Sequence, residues 1–115
     1  MKNSRQKIRD LASSLKENPD DSFTKFALAL ELLKKDGVSK AKVLFESILK
    51  QDPDYLGVYY HLGKLYERTG RLDDAQQTFL DGLEVAKKQN NERTALELKE
   101  ALESINTELN DDSIS

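Results

Sequence analysis

A single register governs this chain: its residues recur 34 positions apart. Leu15-Lys16-Glu17-Asn18-Pro19-Asp20 returns as Leu49-Lys50-Gln51-Asp52-Pro53-Asp54. The same offset joins Leu11, Phe45 and Phe79, then Leu15, Leu49 and Leu83, then Leu28, Leu62 and Leu96. It also pairs Ala41 with Ala75, Phe26 with Tyr60, and Leu32 with Tyr66. A register held from Leu11 to Leu96 marks a repeated supersecondary unit that buries its apolar face only against its neighbours.

Within each unit the apolar spacing is three and four, the helical period. Leu28 and Leu32 show it, as do Ala41, Phe45, Ile48 and Leu49, and Ala75, Phe79 and Leu83. Runs of β-branched residues at period two are absent, so strands are not expected. Pro19 and Pro53 punctuate, and Asp20 and Asp54 after them are candidate helix caps. Gly37 and Gly70 are expected to end helices at positive φ, each behind basic residues that suit a helix C-terminus. Asp73 and Asp74 suit a helix N-terminus. The spacing predicts six helices over 4–17, 21–35, 39–50, 55–69, 72–88 and 92–109. Residues 110–115 read as a polar tail.

Residues 59–79 run Tyr59-x-x-Leu62-Gly63-x-x-Tyr66 and then Ala75-x-x-x-Phe79. This resembles the tetratricopeptide repeat, of the small bacterial type. The preceding repeat carries Lys25, Leu28, Ala29 and Leu32, then Ala41, Phe45 and Pro53. Lys87 stands where the later repeat would have its closing proline. The resemblance implies an all-α fold, a right-handed α-solenoid of antiparallel helix pairs. It lays out one domain over 1–109: a half repeat at 4–20, repeats at 21–54 and 55–88, and a capping helix at 92–109. Gly63, Ala75, Ala29 and Ala41 are then small where helices cross, and Phe45, Phe79, Tyr59 and Tyr66 fill the space beside them.

Little in the chain points to chemistry. There is no Cys, so no thiolate nucleophile and no Cys-based zinc site. The one imidazole, His61, lies inside a helical segment, and Val58 three residues earlier rules out a Glu-x-x-His metal pair. Asp52-Pro53-Asp54 resembles the front of a calcium loop, but Leu56 and Gly63 occupy the fifth and twelfth positions, which need oxygen ligands. Gly63-Lys64-Leu65 lacks the spacing and the hydroxyl of a phosphate loop. The pairs Asp20/Asp21, Asp73/Asp74 and Asp111/Asp112 read as helix-start and tail charges. No catalytic, cofactor or metal residue is therefore expected, and the chain is not expected to be an enzyme.

With 18 basic and 21 acidic residues the net charge is −3, which does not favour nucleic acid. Lys2, Arg5, Lys7 and Arg9 read as a solvated face, with contact to an acidic partner as the alternative. The longest apolar run, Phe26 to Leu30, ends at Glu31, far short of the roughly 20 residues of a membrane span. A soluble, cytoplasmic protein is the expectation.

The most informative segment is 21–35. Leu28, Ala29 and Leu32 form its packing face, and at about 100° per residue Phe23, Phe26, Leu30 and Leu33 fall opposite. A helix apolar on both faces needs cover. A partner peptide or helix, a second copy of the chain, and the chain's own Leu98, Leu102, Ile105 and Leu109 are the candidates. The corresponding face of 55–69 is mixed, with Gly57, Tyr60, Lys64 and Glu67. The expected partner-binding groove is thus Phe23, Phe26, Leu30, Leu33, Tyr60, Lys64 and Glu67, on what the resemblance implies is a concave surface. Many family members bind acidic C-terminal tails through groove asparagines. Leu30 and Lys64 stand at those places here, so that ligand is not implied. What is implied is an interaction module, an adaptor, scaffold or co-chaperone-like unit, with a self-associating homodimer as the alternative.

Overall fold

The structure is a computed structural model that describes residues 3–114. Lys2 and Ser115 lie outside them. Six helices are present and no strand occurs among the described residues: α1 (Ser4–Glu17), α2 (Ser22–Lys34), α3 (Val38–Gln51), α4 (Gly57–Arg68), α5 (Leu72–Lys88) and α6 (Glu92–Ile114). They form an all-α helical repeat. Expected and observed boundaries agree within two residues, save that α6 runs on through residues expected to be tail. The chain divides into two compact units, 1–55 and 56–115.

In the first unit α2 packs on both α1 and α3. Asn3 and Gln6 cap α1 reciprocally: Gln6 N donates to Asn3 Oδ1 at 2.9 Å, and Asn3 N donates to Gln6 Oε1 at 3.3 Å. The cap of α2 is Asp21, one residue beyond the expected Asp20. Its Oδ1 accepts from Phe23 N at 3.1 Å and Thr24 N at 3.4 Å. The helix therefore starts a residue later, because Asp21 is the carboxylate that reaches the free N–H groups. Ala41, Phe45 and Ile48 on α3 are fully buried, with Ala29 of α2.

Lys25, which stands 34 residues before Tyr59, is also buried. Its Nζ donates to Ser47 Oγ and Gln51 Oε1, both at 2.9 Å, in the last turn of α3. The C-terminal end of a helix is a favourable place for an ammonium. Gln51 Nε2 in turn donates to Asp20 O at 2.6 Å and Ser22 Oγ at 2.7 Å. One side-chain network thus ties the loop before α2 to the end of α3.

In the second unit α5 packs on α4 and α6, and α6 also meets α4. Gly63 and Gly82 set these approaches. A Cβ on Gly63 would fall on the ring of Phe79, and one on Gly82 would sit 2.5 Å from Tyr59 Cβ and 3.2 Å from Leu98 Cδ1. Ala75, Phe79 and Ala86 of α5 are fully buried, as are Leu98 and Ile105 of α6. Leu96 departs from its register: Leu28 and Leu62 are buried, yet Leu96 is 58% exposed. α6 turns a different face to the core, using Leu98, Ala101 and Ile105. The N-cap position of α4 falls at Leu56, two residues beyond the expected Asp54, with no side-chain capping hydrogen bond there.

Three helices end in one hydrogen-bond pattern. Gly37 N donates to Leu32 O and Asp36 N to Leu33 O; Arg71 N to Tyr66 O and Gly70 N to Glu67 O; Asn91 N to Ala86 O and Asn90 N to Lys87 O. Each is a Schellman closure with its pivot in the left-handed region. The pivots are Asp36 (φ 58°), Gly70 (φ 81°) and Asn90 (φ 56°). The expectation for Gly70 holds. For Gly37 it does not: its φ is −79°. The pivot falls one residue earlier, on an Asp, a residue type that tolerates this region better than most.

Candidate partner-binding surfaces

The candidate residues divide between the two units. In the first, positions 23, 26, 30 and 33 follow a three-four-three spacing and share one face of α2. Phe23 is 69% exposed, while Phe26, Leu30 and Leu33 are half-buried. Phe26 owes its partial burial to two rings: Phe45 at 6.0 Å between centroids, tilted 51°, and Tyr55 at 5.4 Å, tilted 48°. Beside this face, Glu31 takes Lys34 Nζ at 3.0 Å and Ser4 Oγ at 3.1 Å, with Lys7 Nζ at 3.9 Å. Lys34 leads in holding this carboxyl below its ordinary range, with Ser4 and Lys7 assisting.

In the second unit, Tyr60 of α4 is half-buried, its ring 6.5 Å from Phe79 and edge-on to His61 at 5.8 Å. Lys64 is exposed, and its Nζ lies 3.0 Å from Glu67 Oε1. That oxygen is shielded from water and accepts no well-aligned hydrogen bond, so the ion contact is what compensates it.

Two features were not on the expected list. Tyr55 belongs to the aromatic cluster around Phe26, and its place follows from a turn, since Tyr55 N donates to Asp52 O at 3.1 Å. Burial raises the Tyr55 phenol pKa, and the carboxylates of Asp21 and Asp52 push the same way. Val43, 61% exposed, borders an open apolar cleft of about 410 Å³ with Leu28, Leu32 and Leu44. In the second unit the exposed Leu96 lies in a cavity of about 490 Å³, with Ala86, Lys87 and Lys99.

His61 is half-buried, and burial holds its imidazole below the ordinary 6.5, with Glu97 pulling weakly upward. Below pH 6.5 the unfolded chain takes up this proton before the folded one does, so stability falls as pH falls through that window and is fully present above it. Urea midpoints between pH 7.5 and 5.5 are expected to drop on acidification, and His61→Gln is expected to reduce the slope just below pH 6.5. An unchanged slope in the variant would assign the drop to other groups.

Among the described residues no group of His, Asp and Glu is placed to hold a metal ion, and no helix is long and apolar enough to cross a membrane.

A model of the tetratricopeptide repeat family matches residues 23–99. No curated protein matches the chain. Among solved structures, the tetratricopeptide repeat domain protein from Salinibacter ruber is similar in two determinations. Its solution structure is 49% identical over 76% of this chain and 89% of that one, with a TM-score of 0.72. Its crystal structure is 49% identical over 75% and 97%, with a TM-score of 0.73. The Sgt2 repeat domain from Aspergillus fumigatus shares the fold at 17% identity, covering 97% of this chain and 72% of that one, with a TM-score of 0.82. The yeast Sti1 TPR2B domain, solved as a complex with pHsp70, does so at 16% identity, covering 88% and 81%, with a TM-score of 0.81. The family match covers more than half the chain, the Salinibacter likeness extends over most of the solved chain at 49% identity, and the residues that close the helix pairs are the motif's own: the chain belongs to the tetratricopeptide repeat family.

Proposed function

We infer that this chain is a non-catalytic adaptor that binds a peptide or helix of another protein on the exposed face of α2. Domains of its family mediate protein–protein interactions, and the yeast Sti1 TPR2B domain, which shares the fold, was solved in complex with pHsp70. The observation that carries the reading is Phe23, 69% exposed on a face that continues into Phe26, Leu30 and Leu33. A soluble chain rarely leaves such apolar surface in water unless something docks there. Tyr60, Lys64 and Glu67 are proposed as a second contact surface, with charged residues setting specificity and association rate more than affinity. A cytoplasmic setting is part of the same reading.

Phe23→Asp separates binding from folding, because the side chain is mostly in water already. Affinity capture from native lysate is expected to recover a defined partner with the parent chain and to lose it with Phe23→Asp, while circular dichroism and the melting temperature stay unchanged. Light scattering runs beside it. A dimer that Phe23→Asp splits would put a second copy of the chain in the partner's place. A partner retained undiminished by the variant would remove the α2 face from the function.

A further inference from the structure

The aromatic corner of the first unit has a charge character that says what it takes. Phe23 is 69% exposed, and Tyr55, half-buried, stands 5.4 Å from Phe26 between ring centroids. Four carboxylates sit in the two segments that frame these rings, Asp20 and Asp21 before α2, Asp52 and Asp54 after α3. Asp21 uses its oxygens on Phe23 N, Thr24 N and Thr24 Oγ1, the last at 2.8 Å. These bonds fix the carboxylate in place and leave its charge standing. Lys25, four residues after Asp21, is buried and turned to Ser47 and Gln51. Asp52 opens the turn that carries Tyr55, whose N donates to Asp52 O at 3.1 Å, and Asp21 caps the helix turn that carries Phe23.

The corner is also held in shape. Gln51 pins the loop through Asp20 O and Ser22 Oγ, so the carboxylates and rings meet a ligand in a fixed arrangement. The second repeat does not copy it: Gly57 stands for Phe23, and Ala86 stands for Asp52.

Accessible aromatic faces next to fixed carboxylates attract a cation with an apolar stem, the chemistry of a guanidinium or ammonium laid on a ring. We propose that this corner of the first unit binds a basic, apolar peptide segment, an Arg or Lys side chain lying on Phe23 and Tyr55 with its charge toward Asp21 and Asp52. The proposal rests on the α2-face reading and adds the sign of the partner's charge to it.

Fluorescence anisotropy with three labelled peptides tests it: one of Arg, Leu and Ala, the same sequence with citrulline for Arg, and the same with Glu for Arg. The full chain is expected to bind the Arg peptide about ten-fold more tightly than the citrulline peptide, and the Glu peptide more weakly still. Phe23→Ser and Asp52→Asn are each expected to lower Arg-peptide affinity several-fold with unchanged circular dichroism. Glu100→Gln, on exposed α6, is expected to leave it unchanged and so separates a site from general attraction to an acidic chain. Equal binding of the Arg peptide by all variants, or no binding of it at all, overturns the proposal. Preference for the Glu peptide, lost in Phe23→Ser, overturns the charge assignment while the α2-face reading stands. Loss of the native partner in Phe23→Asp judges that reading separately.

Discussion

Phe79→Ala is expected to lower the stability of the chain by about 3–5 kcal/mol, as truncation of a buried Phe does when its surroundings close in only partly. Phe79 is fully buried, and Gly63 across from it brings the α4 backbone against the ring. That backbone has no side chain with which to fill the void. Small domains have about 5–15 kcal/mol in total, so a large fraction would be lost. Urea titration followed by circular dichroism measures it. A change below 1 kcal/mol would mean that the α4–α5 interface closes over the gap.

Gly63→Ala approaches the same contact from the other side. The new Cβ would overlap the Phe79 ring, closer than 3.0 Å to three of its carbons, and the ring has no free space to enter. Overpacking of this kind costs about 1–3 kcal/mol. Phe79→Leu removes ring atoms on that side. The double variant Gly63→Ala/Phe79→Leu is therefore expected to be more stable than the two single losses added together, a coupling of about 1 kcal/mol in a double-mutant cycle. Additivity would show that the two residues do not meet.

The register legible in the sequence is the one that this pair embodies. Phe45 and Phe79 are both fully buried, and Leu28 and Leu62 both buried, because a crossing of large against small is reproduced at each helix pair. Leu96 carries the same letter, but α6 turns Leu98, Ala101 and Ile105 to the core instead, and spacing alone does not reveal which face a helix will bury. Gly82 was likewise silent: its importance comes from Tyr59 and Leu98, contacts that no local pattern announces. The αL pivot at Asp36 in place of Gly37 shows a local signal read one residue too late.

At the α2 face, the excess of apolar residues was plain from the sequence. The division between exposed Phe23 and half-buried Phe26 was not. It depends on Tyr55, which a turn after α3 brings to within 5.4 Å of Phe26. Lys25 stands where the next repeat has Tyr59. Its burial becomes intelligible only when Ser47 and Gln51 are seen to receive it.

The face that α6 turns outward limits what can pack against it. Where α4 offers Tyr59, Leu62, Gly63 and Tyr66 to its partner helix, the corresponding positions of α6 are Arg93, Leu96, Glu97 and Glu100, all exposed. A further helix laid on this face would have to strip water from a guanidinium and two carboxylates and would gain one leucine in return. End-on stacking of one molecule on another would meet the same barrier. Open head-to-tail contacts of that sort produce filaments, and the charge on this face opposes them.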